Sequence, residues 1–374
     1  MKELNTQRLL KSIIIAVLIV VIIRTTWIGD DSKITIRTVL NTLHGFGATF
    51  NLDERVQGYT HPLWFLLILI LTFLIQNVYI AIFVLSFVCT VAMMWLLIRD
   101  SEKLTDFLIP VILLFSKAFV DYLTSGLENP LTHLLLVWGI LRLIKDIKSE
   151  NIGIRPMTLI ILGSVYLSRP DAILLVLPLV LYSIVFSQNR FQFSYSFSIS
   201  VISQLTWFIL PAAIWTLFSL VYYGFQFPTT AYAKLSHGVN SHTIAIQGMY
   251  YFIDSLNRDP LTLLTIGVSI FIGWQKNGWH RWVSVGLLLH SVYLIYIGGD
   301  FMTGRFLTPS VVVSVLLLAN LFKDSIQQSA VSLPIVLIGI FSVNMTLFAD
   351  PSITDPKPDK NGIVDERIWY FRNE

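Results

Sequence analysis

The sequence predicts an all-α fold, a polytopic membrane helix bundle. Of its 374 residues, 55% are hydrophobic and only 13% are charged, whereas soluble domains carry about 25% charged residues. The mean hydropathy of +0.70 leaves too few polar side chains to cover a water-facing surface. Apolar runs near the length of about 20 residues that a membrane span needs recur along the chain. We therefore expect about eleven spans, with interfacial helices on the outer face.

The candidate spans follow one another with short polar connections. The first, 12–28, comes after Lys2, Arg8 and Lys11, a charge pattern that signal peptides share. Because this run is long enough to span and no small-residue cleavage site follows it, we predict an uncleaved helix with a cytoplasmic N-terminus. The other candidates are 78–98, 104–120, 131–145, 157–168, 172–187, 199–221, 261–275, 281–297, 306–322 and 331–348.

The apolar segment 62–76 decides the topology. If it does not cross the membrane, the basic connections all face the cytoplasm, as the positive-inside rule favours. If it does cross, all of them move outside. We therefore interpret 62–76 as a re-entrant or interfacial helix on the outer side. The connections concerned are 99–103, 142–155, 188–198, 276–281 and Lys323.

This topology collects the chemically useful polar residues on one face. The outer segments are 29–61, 121–130, 168–172, 222–260 and 298–305, whereas the inner connections are short and basic. The separation predicts an extracytoplasmic active site carried by a transmembrane domain, 1–348, with a catalytic outer loop, 29–64. The tail 349–374 also falls outside. Its Pro-rich beginning is typical of a linker, and IVDERIWYF is expected to open a soluble outer domain.

The net charge, the cysteine count and the motifs present limit the partners and cofactors that the protein is expected to bind. The net charge of +3 is too small to suggest a nucleic-acid partner. The single cysteine, Cys89, lies in an apolar run and is predicted to be a buried thiol. The chain contains no cofactor motif and no His/Cys cluster with metal-ligand spacing. The acidic outer loops could bind a divalent cation weakly, although nothing has EF-hand-like spacing.

Asp30 and Asp31 are the most prominent candidate catalytic residues. They follow the first span directly, at a place where a carboxylate is costly unless it is solvated or paired. One of them could act as a general base on a hydroxyl acceptor, while the other pairs with Arg37 or caps a helix over 33–44. The alternative is a plain helix cap, with Asp31 or Ser32 as the N-cap residue.

Other outer segments carry the candidate substrate-binding residues. Glu128 lies between two spans and could equally be a carboxylate that stabilises a helix terminus. Arg169 either pairs with Asp171 or orients a carboxylate or phosphate. The remaining candidates, two of them in a Gly-rich turn, are Arg37, Arg55, Tyr59, His61, Lys234, Asp300 and Arg305.

These residue types suit an anionic lipid-linked donor and a neutral hydroxyl acceptor. A cation near the lipid boundary would hold the phosphate leaving group, and a carboxylate would take the acceptor proton. A transporter or flippase for a lipid-linked sugar is the rival interpretation, and Asp106 and Lys117, within or near a span, are the observations that favour it. An inactive, truncated homologue is the third interpretation.

The segment GDDSKITIR…GFGATFNLDERVQGYTHPLW closely resembles the first outer loop of GT-C-fold membrane glycosyltransferases. It is most similar to the actinobacterial terminal arabinofuranosyltransferase group, whose usual pattern is DDAyI…R…G.G.vfN.gERVeGYTsPLW. The resemblance continues in the same order through TSGLENPL, LSRPDAIL, YYGFQFPTTAYAKL, YIGGDFMTGRFLTP and GIVDER. It therefore covers essentially the whole chain.

The resemblance implies a GT-C-like fold and a polyprenyl-phosphate sugar donor. It also implies transfer, with inversion at the anomeric carbon, to a cell-envelope glycan or lipid acceptor at the outer face of the bacterial cytoplasmic (inner) membrane. On the same basis Asp30 and Asp31 are the acidic pair required for catalysis. Arg305 and Lys234 become the candidates for contact with the donor phosphate.

Overall fold

A computed structural model describes residues 2–149, 153–186, 195–230, 232, 238–322, 325–342 and 358–373. Its secondary structure is helical, and two short 3-10 turns lie at Pro170–Ala172 and Arg305–Leu307. The α-helices are α1 (Lys2–Arg24), α2 (Asp30–Leu43), α3 (Pro62–Ile75), α4 (Val78–Ile98), α5 (Leu104–Phe115), α6 (Lys117–Asp121), α7 (Asn129–Lys148), α8 (Pro156–Ser168), α9 (Ile173–Phe186), α10 (Tyr195–Tyr223), α11 (Ser241–Arg258), α12 (Pro260–Trp274), α13 (Trp279–Tyr296), α14 (Thr308–Leu321), α15 (Ser325–Phe341) and α16 (Glu366–Asn373).

The described part of the chain is the all-α membrane helix bundle that the composition predicts. Among the described residues, three helical stretches are long and apolar enough to cross a membrane, namely Thr6–Arg24, Val78–Ile98 and Ile199–Tyr223. Several other apolar helices have 10–17 residues. The 14 residues of α3 rise about 21 Å at 1.5 Å per residue, less than a hydrocarbon core of about 30 Å. Because α8, which is predicted to cross, has only 13 residues, helix length does not decide whether 62–76 crosses. The number of crossings and the path of 62–76 therefore stay predictions.

The described helices pack around a large apolar core, and Tyr122, Leu127 and Met302 form a small separate cluster. Helix α7 lies near the centre of the large core and contacts α4, α8 and α14, while α10 packs along α8 and α13 packs along α9. The contact between α8 and α10 is close because Gly163 has no side chain. A Cβ atom there would lie 2.0 Å from the carbonyl oxygen of Phe208, so any larger residue would push the two helices apart.

Two predicted spans end early or are interrupted, in each case where a polar side chain hydrogen-bonds to the backbone. The first helix ends at Arg24 instead of residue 28, and the Thr25 hydroxyl donates back to the carbonyl of Val21. The predicted span 104–120 is interrupted at Ser116, whose hydroxyl accepts from the Phe119 amide at 3.1 Å. Asp259, from a distant segment, accepts from the Ala118 amide at 2.9 Å. These bonds satisfy backbone amides at the beginning of α6.

Three further boundaries differ from the predictions. The predicted outer segment 222–260 contains an 18-residue helix, α11. Helix α15 begins at Ser325, six residues before the predicted start of 331–348, and residues 343–348 lie outside the described part. Helix α2 begins at Asp30 with Gly29 as its N-cap residue, so the cap predicted at Asp31 or Ser32 is wrong. The Ser32 hydroxyl donates instead to the Gly29 carbonyl at 2.5 Å.

The C-terminal segment 358–373 docks against the ends of the helices. Val364 pairs with Met302 in an isolated parallel bridge, in which its amide donates to the Phe301 carbonyl at 2.8 Å. Asp365 forms an ion pair of 2.7 Å with Lys117, and Arg367 lies 3.2 Å from Asp121. This segment therefore lies at the same polar end of the bundle as segments 121–130 and 298–305.

Candidate active site

The acidic pair lies in the first turn of α2. The helix dipole favours negative charge at this position. The Asp31 amide donates to Asp30 Oδ1 at 2.6 Å, and the two carboxylates have different partners, Glu366 for Asp30 and Arg305 for Asp31. Asp30 is exposed, whereas Asp31 is partly covered and lies 2.8 Å from a guanidinium nitrogen of Arg305. The pair is therefore divided into one solvent-facing carboxylate and one ion-paired carboxylate.

The segment 121–128 packs directly against this turn. The Gly29 amide donates to the Ser125 carbonyl at 2.9 Å, and Thr124 donates to the Thr25 carbonyl at 3.1 Å. Gly126 has a φ of +84°, and a Cβ atom there would lie 2.7 Å from the Ser32 side chain. Glycine is needed because it alone adopts this φ without strain and allows this close approach. This contact places Glu128 beneath the acidic pair.

Arg305 connects three carboxylates from different segments. Its guanidinium lies 2.8 Å from Asp31, 3.6 Å from Asp300 and 3.9 Å from Glu128. Burial disfavours the charge on Arg305, but these carboxylates outweigh burial and raise its pKa. The predicted association of Asp300 with Arg305 is confirmed, and Arg305 remains a buried cation.

Glu128, beneath the acidic pair, contacts several basic side chains. His61 Nδ1 lies 3.1 Å from one carboxylate oxygen, and Arg169 lies 3.4 Å from the other. Burial raises the pKa of Glu128, but His61, Arg305 and Arg169 together lower it below its usual range. His61 is held by Thr35, whose hydroxyl lies 2.7 Å from Nε2. Glu128 is therefore an ionised buried carboxylate in addition to the N-cap residue of α7.

Arg169 joins Glu128 to a further carboxylate. Its Nε donates to both oxygens of Asp171 at 3.0 Å, and its guanidinium lies 4.4 Å above the ring of Phe306. His290 on α13 approaches Asp171 at 3.1 Å. Burial raises the pKa of Asp171, but Arg169 and His290 outweigh it and lower the pKa. The predicted Arg169–Asp171 pair is confirmed, and Arg169 also belongs to the cluster around Glu128.

The remaining candidates from segment 29–64 lie against aromatic side chains. Arg37 is exposed, 4.4 Å above the ring of Phe50, so its predicted pairing with the acidic residues is wrong. Arg55 lies 5.4 Å from the ring of Tyr222. The Tyr59 hydroxyl is buried, 3.0 Å from that of Tyr223. Lys234 lies outside the described residues.

Two residues of the site were not predicted. His290 lies in an apolar span, where a lone histidine carries no recognisable signal. Glu366 lies in the C-terminal segment beside Asp30, and the GIVDER match was the one feature that could have indicated it. Burial first, and then the adjacent Asp30 carboxylate, raise the pKa of Glu366 to about 9. Glu366 is therefore a neutral acid at pH 7.

Within the described residues, no group of three or more His, Cys, Asp and Glu side chains is arranged to hold a metal ion. The position between Asp31 and Asp300 is taken by the Arg305 guanidinium. A weakly bound divalent cation therefore stays a prediction from the acidic loops.

We expect Glu366→Gln to stabilise the protein more at pH 8 than at pH 5. The folded-state pKa of Glu366 lies above its unfolded value, so the unfolded chain binds fewer protons between these pKa values and stability falls as pH rises. Glutamine cannot ionise and removes this loss. The measurement is the melting temperature in detergent at both pH values. The matched control is Glu102→Gln, at an exposed carboxylate. Equal shifts for Glu366→Gln at both pH values would contradict the prediction.

The fold and the site define an all-α membrane protein with a carboxylate–arginine cluster at one end of its bundle. The chain is similar to the "Terminal beta-(1->2)-arabinofuranosyltransferase" of Mycobacterium tuberculosis, with 27% identity over 405 aligned positions, covering 92% of this chain and 62% of the relative. It is also similar to a protein with the same name from Corynebacterium glutamicum, with 27% identity over 335 positions, covering 75% of this chain and 46% of the relative.

The chain thus spans about half to two thirds of the length of the curated relatives that it matches. No protein-family model matches the chain. No solved structure matches it. The two relatives bear out the resemblance to the actinobacterial terminal arabinofuranosyltransferase group that the ordered motifs indicate.

Proposed function

We propose that the protein is an integral membrane glycosyltransferase. In this proposal it moves a sugar from a polyprenyl-phosphate donor to a glycan or lipid acceptor of the cell envelope, at the outer face of the bacterial cytoplasmic membrane. The names of the two relatives support the transferase class. The observation that carries the proposal is the division of the acidic pair, in which Asp31 is bound by Arg305 while Asp30 stays exposed.

Asp30 is the proposed general base. A hydroxyl oxygen of the acceptor attacks the anomeric carbon of the donor sugar, and the bond from that carbon to the phosphate oxygen breaks. Asp30 takes the hydroxyl proton, polyprenyl phosphate leaves with the electron pair of the broken bond, and the configuration inverts. A base must reach the proton that it removes, and the exposed first turn of α2 gives an acceptor this access.

Asp31 and Arg305 are proposed to form one preorganised charged group in the active site. Arg305 is held by Asp31, Asp300 and Glu128, so it is positioned before a substrate arrives, and preorganised charges need no rearrangement during the reaction. The exposed cations Arg37 and Arg55, together with Lys234, are the proposed contacts for the donor phosphate. A bidentate arginine suits a phosphate because its donors match the oxygens.

The features that favoured a transporter have other roles. Asp106 accepts from the backbone amides of Glu102 and Lys103 at 2.9 Å, at the beginning of α5. Lys117 is paired with Asp121 and Asp365 in the polar cluster that holds the C-terminal segment. Both residues therefore support the structure at helix ends, and the transferase is the function that we propose.

The proposal is tested by a transfer assay. The purified protein in nanodiscs is given radiolabelled polyprenyl-phosphate sugars, and arabinofuranose is tried first because of the relatives' names. Label should move to an added cell-envelope glycan and should stay on the donor when Asp30 and Asp31 are both replaced by alanine. Parallel reactions with a chelator test the divalent cation. No transfer from any donor, with the donor still bound, would contradict the proposal and favour a carrier.

A further inference from the structure

A pocket of about 150 Å³ opens beside Asp30. A water molecule takes up about 30 Å³ in the liquid, so this pocket has room for about five water molecules. Asp30 and Phe301 form one side, and the C-terminal segment supplies the other. The lining residues from that segment are Pro358, Val364, Glu366, Trp369 and Tyr370. The space suits a single sugar ring with its hydroxyl groups.

Hydrogen bonds and a buried ion pair fix the C-terminal segment, which forms one wall of the pocket. The Thr303 amide donates to the Val364 carbonyl at 3.0 Å, beside the Val364–Phe301 bond. The buried ion pair of Asp365 with Lys117 holds the residue that precedes Glu366. The aromatic side chains of Trp369 and Tyr370 follow within the same helix, α16. Their distance from Asp30 is therefore set by the fold.

The lining combines aromatic surface with carboxyl groups. Trp369 is 39% exposed and Phe301 is 46% exposed, so both contribute exposed apolar surface to the lining. The Glu366 carboxyl hydrogen-bonds to Asp30, and its buried Oε2 atom has no other partner within the described part of the chain. Buried hydrogen-bonding capacity that is left unfilled is costly. A ligand hydroxyl entering the pocket would satisfy it, while the aromatic faces would cover the C–H surface of a sugar ring.

The charge of the lining argues against the donor phosphate as the occupant. Among the described residues that line the pocket, two are acidic and none is a lysine or arginine. The neighbouring cations have other contacts: Arg305 is bound to Asp31, and Lys33 lies 5.2 Å from the ring of Tyr370. A phosphate would thus meet carboxyl groups, whereas a neutral polyol meets hydrogen-bond partners.

We propose that this pocket is the subsite for one neutral sugar ring of the acceptor, with Trp369 as its aromatic platform and Glu366 as a hydrogen-bond partner. The proposal rests on the proposed function, because the hydroxyl of the bound ring is the one that Asp30 deprotonates. In this proposal the C-terminal segment binds the acceptor, and the donor phosphate contacts Arg37 and Arg55 of segment 29–64.

The first test uses the kinetics of the full chain. Trp369→Ala should raise the KM for an acceptor glycan by about tenfold, equivalent to about 1.4 kcal/mol of binding. The KM for the donor should stay unchanged, because a loss confined to acceptor binding leaves the donor site intact. Trp369→Tyr should restore most of the loss. The matched control is Trp95→Ala, at a tryptophan that is 49% exposed on α4. An unchanged acceptor KM in Trp369→Ala would overturn the subsite even if transfer is active.

The second test needs no turnover. Octyl arabinofuranoside and octyl galactopyranoside, each carrying a diazirine on the sugar, are photolysed with the protein, and the labelled peptides are mapped by mass spectrometry. Sugar-dependent labelling within 299–303 or 358–370, lost in Trp369→Ala and kept in Trp95→Ala, is expected. Labelling no greater than that by octyl diazirine without a sugar would overturn the subsite. Labelling without transfer by any donor would overturn the proposed function alone.

Discussion

Asp30→Asn is expected to lower sugar transfer by about 10²–10⁴-fold, the usual contribution of a general base. Asparagine has the same shape and its side-chain oxygen can still accept from the Asp31 amide, which donates to Asp30 Oδ1 at 2.6 Å. The first turn of α2 should therefore stay intact while the proton acceptor is lost. The measurement is the initial rate with radiolabelled donor, together with the melting temperature in detergent, which should change little.

Asp31→Asn should have a different signature. Because Asp31 pairs with Arg305 at 2.8 Å, this variant should lose activity and also melt at a lower temperature. Asp100→Asn is the matched control, since its side chain is 84% exposed and pairs only with Arg99 among the described residues. Normal activity in both Asp30→Asn and Asp31→Asn would refute the acidic pair. An active Asp30→Asn beside an inactive Asp31→Asn would move the base to Asp31.

Arg305→Met is expected to lower the free energy of unfolding by about 3–5 kcal/mol, since removing one partner of a buried ion pair leaves uncompensated charge. The guanidinium lies within 4 Å of three carboxylates, those of Asp31, Asp300 and Glu128. Methionine has a similar apolar stem but leaves these charges facing one another. The unfolding free energy in detergent, measured by denaturant titration, tests the prediction.

A second substitution shows whether the loss has this electrostatic origin. Arg305→Met combined with Glu128→Gln should recover part of the stability, because the double variant has one fewer unpaired charge and neighbouring sites couple. Arg305→Lys should lie between the wild type and Arg305→Met, since it keeps the charge but loses the planar fork. Arg55→Met, at an exposed arginine, is the control. A change below about 1 kcal/mol for Arg305→Met, the value expected of a surface pair, would contradict the prediction.

The helices and the loop motifs were predictable because their signals are local. An apolar run long enough to cross a membrane specifies a helix wherever it occurs, and the helix starts at Pro62 and Asn129–Pro130 follow from proline in the first turn. The acidic pair, Glu128, Arg169 and Arg305 were all recognisable from their residue types and their places between apolar runs. Their assembly at one end of the bundle also follows the predicted separation of outer and inner segments.

The pairing of charges was not predictable, because it depends on the distances between segments far apart in the chain. One member of the acidic pair was predicted to bind Arg37 or to cap the helix that follows, whereas Asp31 pairs with Arg305, 274 positions away. Likewise, the break at Ser116 depends on Asp259, which reaches the Ala118 amide from 141 positions away. Local periodicity carries no information about such contacts.

The linear pattern of apolar and polar residues is therefore sufficient to specify a helical membrane protein, its polar end and most of the residues gathered there. Packing in three dimensions gives Asp30 and Asp31 different partners, places Glu366 beside Asp30 and raises the pKa of Glu366 to about 9. The physical reason is that a span forms from its own residues. The environment of a carboxylate instead depends on which charges and how much water the rest of the fold leaves around it.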